Sequence, residues 1–107
     1  MVVLTITFTY DSRLGISVPQ LETEWNYLNP QTQTAIFDKW EEIRGDIPDR
    51  IKDLEQEINE LQQQLYEEDE FQKSCELNSS IAELASIIND LWIWYRSGEG
   101  VEVKVHS

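Results

Sequence analysis

Two heptad seams that read in opposite directions constrain this sequence more than any other feature. Ile47, Leu54 and Leu61 interleave with Ile51, Ile58 and Leu65 at alternating spacings of four and three. That is the pattern of a helix packed along one apolar seam. Leu77, Ile81, Leu84, Ile88, Leu91 and Tyr95 repeat it further along the chain. If the chain reverses near Asp69, the layers become Leu61 with Leu77, Ile58 with Ile81, Leu54 with Leu84, Ile51 with Ile88 and Ile47 with Leu91. The paired position numbers then have a nearly constant total, as an antiparallel helical hairpin requires. Asp69-Glu70-Phe71-Gln72 supplies an N-cap and a partial capping box at the restart. A second capping signature, Asn78-Ser79-Ser80 followed by Glu83, marks a competing reversal that would set Leu61 and Leu65 against Tyr95 and Trp92. The layer arithmetic places the reversal between Tyr66 and Phe71.

The flanks read differently. Leu4, Ile6, Phe8 and Tyr10 alternate with Val3, Thr5, Thr7 and Thr9, the period-two pattern of a strand. Asp11–Gly15 is a turn signal, and Ile16-Ser17-Val18 suits a short returning strand. Val101, Val103 and Val105 alternate with Glu102, Lys104 and His106, so a second terminal strand is expected to pair with the first, after a turn at Gly98 and Gly100. Leu21, Trp25 and Leu28 suggest a short helix over 19–28. Asn29-Pro30 is a helix start, Ile36, Phe37, Trp40 and Ile43 share a face, and Gly45 reads as a C-terminal cap before a restart at Asp46-Ile47-Pro48. The expected fold is therefore α+β and mostly helical. It has a long antiparallel hairpin, about 47–66 and 70–96, a shorter helix over 30–44, and a small sheet from the N- and C-terminal strands. At 107 residues the chain is expected to form a single domain, 1–107.

Charge and composition narrow the function. Eight Lys and Arg against 21 Asp and Glu give a net charge of -13. That speaks against direct nucleic-acid binding and against anionic membranes, both of which call for a basic surface. Residues 51–70 hold eight acids (Asp53, Glu55, Glu57, Glu60, Glu67, Glu68, Asp69 and Glu70) and one base, Lys52, for a net -7. By contrast Ile87-Ile88-Asn89-Asp90-Leu91-Trp92-Ile93-Trp94-Tyr95 is apolar nearly all round, so that end belongs in a covered base while the acidic tip projects. The lack of a long apolar run, of a leader pattern and of a second cysteine beside Cys75 points to a cytoplasmic protein.

Catalytic chemistry finds no foothold. Nucleophilic catalysis needs a nucleophile beside a base; Cys75 falls among heptad positions, where a buried inert thiol is expected, and His106 is the second-last residue. A structural zinc site needs four ligands, chiefly Cys and His, and no Glu-x-x-His pair suits a helical di-metal site. Glu67–Glu70 lacks the spacing and the turn glycine of a calcium loop. No enzyme activity, metal or cofactor is expected.

Phe71, then the small residues Ser74 and Cys75, then Leu77, Ile81 and Leu84 resemble the second helix of the UVR motif, over about residues 58–84. That motif is a helical hairpin of bacterial excision-nuclease subunits and some protease adaptors. Its Arg-Asp pair is replaced here by Asn78-Ser79, and the first helix is one residue out of step. The resemblance implies a protein–protein contact module with a turn just before Phe71. The leading expectation is a non-enzymatic structural or interaction protein that forms a homo-oligomer, with Ile87, Trp92, Ile93 and Trp94 as candidate interface. The alternative is a small acidic regulator, an antitoxin or phage-type inhibitor, that binds a basic protein or mimics nucleic acid. Its candidate surface is Asp53, Glu57, Glu60, Glu67, Glu68, Asp69 and Glu70.

Overall fold

In the computed structural model the backbone is described for residues 6–21 and 27–106, and the side chains for residues 8–20 and 27–96. Two strands, β1 (Ile6–Asp11) and β2 (Ile16–Leu21), precede two helices, α1 (Pro30–Glu67) and α2 (Phe71–His106). The molecule is elongated, 63 × 25 × 18 Å with a radius of gyration of 18.4 Å, well above the roughly 13 Å of a spherical 100-residue domain.

The helices form the expected antiparallel hairpin, and the chain reverses at residues 68–70. Asn29 caps α1, its side-chain oxygen accepting the Thr32 N–H at 2.7 Å, with Pro30 in the first turn. The Glu68 N–H returns to the Leu65 carbonyl at 3.2 Å, and the Glu70 carbonyl accepts the Ser74 N–H at 3.0 Å. The residue that leads into α2 is thus Glu70 rather than Asp69. At the broad end of the hairpin Ile47 and Leu91 are wholly buried, with Trp40, Ile51, Leu54 and Ile87 beside them.

The first correction concerns α1, which runs as one 38-residue helix through both Gly45 and Pro48. A separate helix over 30–44 does not exist. Magnitudes explain why. An interior glycine costs a helix about 1 kcal/mol and a proline about 3. Burying each large apolar side chain returns about 1.5–3 kcal/mol, and Trp40, Ile47, Ile51 and Leu54 all lie on the buried stripe. Trp40, Ile47 and Leu54 are seven residues apart, so the seam crosses Gly45 and Pro48 without a phase change, and a break would throw Trp40 off it. The Arg44 carbonyl loses a donor at Pro48, while the Arg44 side chain ties the helices together. Its Nε donates to the Tyr95 carbonyl at 2.7 Å, and its guanidinium lies 4.4 Å from the Tyr95 ring centre.

The second correction concerns the sheet. It is a two-stranded antiparallel ribbon of β1 and β2, with Thr9 opposite Val18 and Asp11 opposite Ile16. The expected C-terminal strand at 101–105, and the turn at Gly98 and Gly100, are instead the last turns of α2. A neighbouring strand closes a far shorter loop than one some 90 residues away, so local pairing is entropically cheaper. The terminal segment then satisfies its backbone groups within a helix. For the same reason residues 19–21, expected to open a helix, belong to β2; of the rest of that segment, residues 22–26 with Trp25 lie outside the described residues. Residues 2–5 also lie outside them.

The ribbon turn is built on Asp11 and Gly15. Asp11 Oδ1 accepts the Leu14 N–H at 3.0 Å, and the Asp11 carbonyl accepts the Gly15 N–H at 2.7 Å. Gly15 has φ of 77°, and a Cβ there would come within 2.5 Å of Arg50 Nε. Gly45 is the opposite case, since a Cβ would meet nothing within 4 Å. Gly15→Ala should therefore destabilise the fold by about 1–3 kcal/mol, whereas Gly45→Ala should stabilise it by about 0.5–1 kcal/mol. Urea midpoints at constant m-value measure both, and equal effects would contradict this account.

Candidate interaction surfaces

The β1–β2 turn lies across one flank of the helical hairpin. Leu14 and Ile16 enter the core formed with Trp40, Ile47, Ile51, Leu54, Ile87 and Leu91, and Phe8 and Val18 pack against it at the margin. Polar contacts hold the turn from both sides. On α1, Arg50 Nε donates to the Leu14 carbonyl at 2.9 Å. On α2, Arg13 reaches Glu83 Oε1 at 3.0 Å, Asp90 Oδ2 at 2.8 Å and Ser86 Oγ at 3.0 Å. Hydrogen bonds to Asp90, and then to Glu83, raise the pKa of the Arg13 guanidinium above its ordinary value, so the cation is fixed at any physiological pH. The pairs are solvent-exposed, so they select orientation more than they add stability.

The expected interface residues separate. Ile87 is consumed by the chain's own core, beneath the turn. Trp94 is half-buried and meets Trp40 edge-on, ring centres 5.6 Å apart. Trp92 and Ile93 remain outside, 38% and 50% exposed, although Trp92 also makes an edge contact with Tyr95 at 5.6 Å. Trp92 follows Asp90 by two residues, about 200° around the helix. The open flank of α2 is therefore the one turned away from Arg13. Ala85, seven residues before Trp92, is exposed on that side, and Gly45 and Pro48 are exposed on α1.

The acids lie where the seam pattern puts them, off the apolar stripe. Asp53, Glu57, Glu60, Glu67, Asp69 and Glu70 are exposed and Glu68 is half-buried, its Oε2 accepting the Glu70 N–H at 3.1 Å. Sequence reasoning missed Tyr66 and Phe71, 89% and 82% exposed on either side of the acidic tip. Their off-seam positions in the heptad register were the available signal. Cys75, expected to be buried, is exposed; in the seam that places Leu77 and Ile81, position 75 falls outside.

Among the described residues no three His, Cys, Asp or Glu side chains converge to hold a metal ion, and no helix is long and apolar enough to cross a membrane. The chain matches no family model, no curated protein and no solved structure.

Three measurements check this geometry. Leu14→Ala should cost about 2–4 kcal/mol, as for truncation of a buried leucine, while Arg13→Ala should chiefly speed amide exchange in β1 and β2. Native protein should expose one thiol to a maleimide without denaturant, at a rate that urea does not raise.

Proposed function

We propose that this chain is a non-enzymatic protein-interaction unit that self-associates through the base of its helical hairpin. One observation carries the reading. Trp92 stands exposed on the flank of α2 that the β-ribbon leaves open, and Ile93 is exposed on the outward face of the same helix, with the small or apolar exposed residues Gly45, Pro48 and Ala85 on the side of Trp92. An isolated surface leucine would need no explanation, but a tryptophan on a small-residue flank, with an exposed isoleucine next to it on the helix, favours a partner surface. A second copy is the commonest partner for such a patch. Residues 51–70 oppose association through the tip, because two arms each carrying a net -7 repel at short range. The association is therefore confined to the base. A reducing, cytoplasmic setting accords with the single exposed Cys75.

The charge-driven alternative, an antitoxin-like or phage-type inhibitor of a basic protein, is favoured by the exposed acids along α1. Salt separates the two readings, because a hydrophobic contact survives ionic strength and phosphate mimicry does not.

Sedimentation velocity at micromolar concentration should give a multiple of the chain mass, little changed by added salt. A Trp92→Lys, Ile93→Lys double variant should sediment as a monomer with unchanged helix content. A wild-type monomer throughout would refute self-association.

A further inference from the structure

The helical hairpin is covered unevenly along its length. At the base the ribbon lies over the seam, and Ile47, Ile51, Leu54, Ile87 and Leu91 are buried. Past the ribbon Ile58, Leu61, Leu65, Leu77, Ile81 and Leu84 are all only half-buried. Two helices alone shield a seam from one direction each, so its flanks stay wet unless a third element covers them. On the flank that the ribbon occupies, the next level toward the tip is a shallow groove lined by Glu57, Leu61, Ser79, Ser80, Glu83 and Leu84. The two serines are short enough to let another backbone approach.

The chain itself shows what this flank accepts. Its ribbon inserts leucine and isoleucine over the seam and sets an arginine against α2 carboxylates, with Arg13 on Glu83 and Asp90. One level further out the same ingredients recur without an occupant among the described residues. Leu61 and Leu84 form the floor and Glu57 and Glu83 the rims. Glu57 is exposed and lies seven residues beyond Arg50, on the same face of α1. Arg13 takes only Oε1 of Glu83.

We propose that this groove is a docking site for a cationic amphipathic helix of another protein, its apolar residues on Leu61 and Leu84 and its lysines or arginines on Glu57 and Glu83. The open stretch from Glu57 to Tyr66 spans about 15 Å, or nearly three turns of a helix, and apolar anchors at i, i+3 or i+4, and i+7 match it. Charge selects this occupant over a second copy, because another hairpin would bring its own acidic arm, net -7 over residues 51–70, against the first. The site lies away from Trp92 and Ile93 and does not depend on self-association at the base.

The test uses the full chain and a synthetic helical peptide with leucines at heptad spacing and lysines on both flanks. A control peptide of the same composition has its leucines scattered around the helix. Fluorescence anisotropy should show saturable one-to-one binding of the patterned peptide, at least tenfold tighter than the scattered one and weakened by salt. Leu61→Ser and Glu57→Gln should each weaken it at least fivefold, while Glu55→Gln, an equal charge change on the other flank of α1, should change it less than twofold. The Trp92→Lys, Ile93→Lys variant should bind as the wild type does. Circular dichroism checks each fold, and the exposed Glu57→Gln keeps the test decisive if Leu61→Ser unfolds. Equal binding of both peptides, equal loss at Glu55 and Glu57, or no saturation would overturn the proposal. So would a wild-type dimer that Leu61→Ser dissociates, since a second copy would then occupy the groove.

Discussion

Two helices share a single seam, and a single seam cannot make a core without a third layer. In this protein the layer is a β-ribbon whose turn sets Leu14 and Ile16 over α1 and α2, and the boundary of the ribbon is the boundary of the core. Beneath it Ile47 and Leu91 are fully buried; beyond it the same heptad positions are half-open. The placement of the ribbon is set by small, specific chemistry. Gly15 supplies a left-handed residue and clears space for Arg50, and Arg50 and Arg13 then hold the turn from the two helices. The exposed Arg13 pairs add little energy individually, but with the half-buried Arg50 contact they determine which flank of the hairpin is covered.

The hairpin was legible in the sequence because it rests on periodicity. The seam residues fixed the antiparallel register, and the reversal falls between Tyr66 and Phe71 as that register demands. Local signals served less well wherever tertiary packing opposed them. Gly45 and Pro48 are ordinary helix stops, yet the stripe from Trp40 to Leu54 continues across them and outweighs their cost. The seven-residue interval from Trp40 to Ile47 carried that information, and reading it as part of the seam would have joined the two segments. The alternation of Val101, Val103 and Val105 suited a strand, but a strand needs a partner, and β2 lies far closer to β1 along the chain.

The candidate surfaces divide along the same line. That Trp92 and Ile93 exceed what the seam can bury was readable from a segment apolar on all sides, whereas the loss of Ile87 to the core was not. Its burial depends on a turn more than 70 residues earlier in the chain. Arg13 carried no signal at all in the sequence, where it is one polar residue in a turn. Its significance comes from Glu83, Ser86 and Asp90 lying within 3.0 Å.

The two flanks of the hairpin obey different physics, and this organises the whole molecule. The flank bearing Trp92, Ala85, Gly45 and Pro48 offers apolar and small side chains, so the association proposed there follows buried area more than net charge. The flank bearing Glu57 and Glu83 combines an apolar floor with carboxylate rims, so association there carries an electrostatic component that salt screens. The gradient of charge from base to tip keeps the two apart. On the proposed reading a second copy would be repelled where the arm is most acidic and accepted where it is least, while a cationic helix would be drawn toward the acidic arm. A short chain with one seam can in this way offer two surfaces without confusing their partners, since what attracts one repels the other.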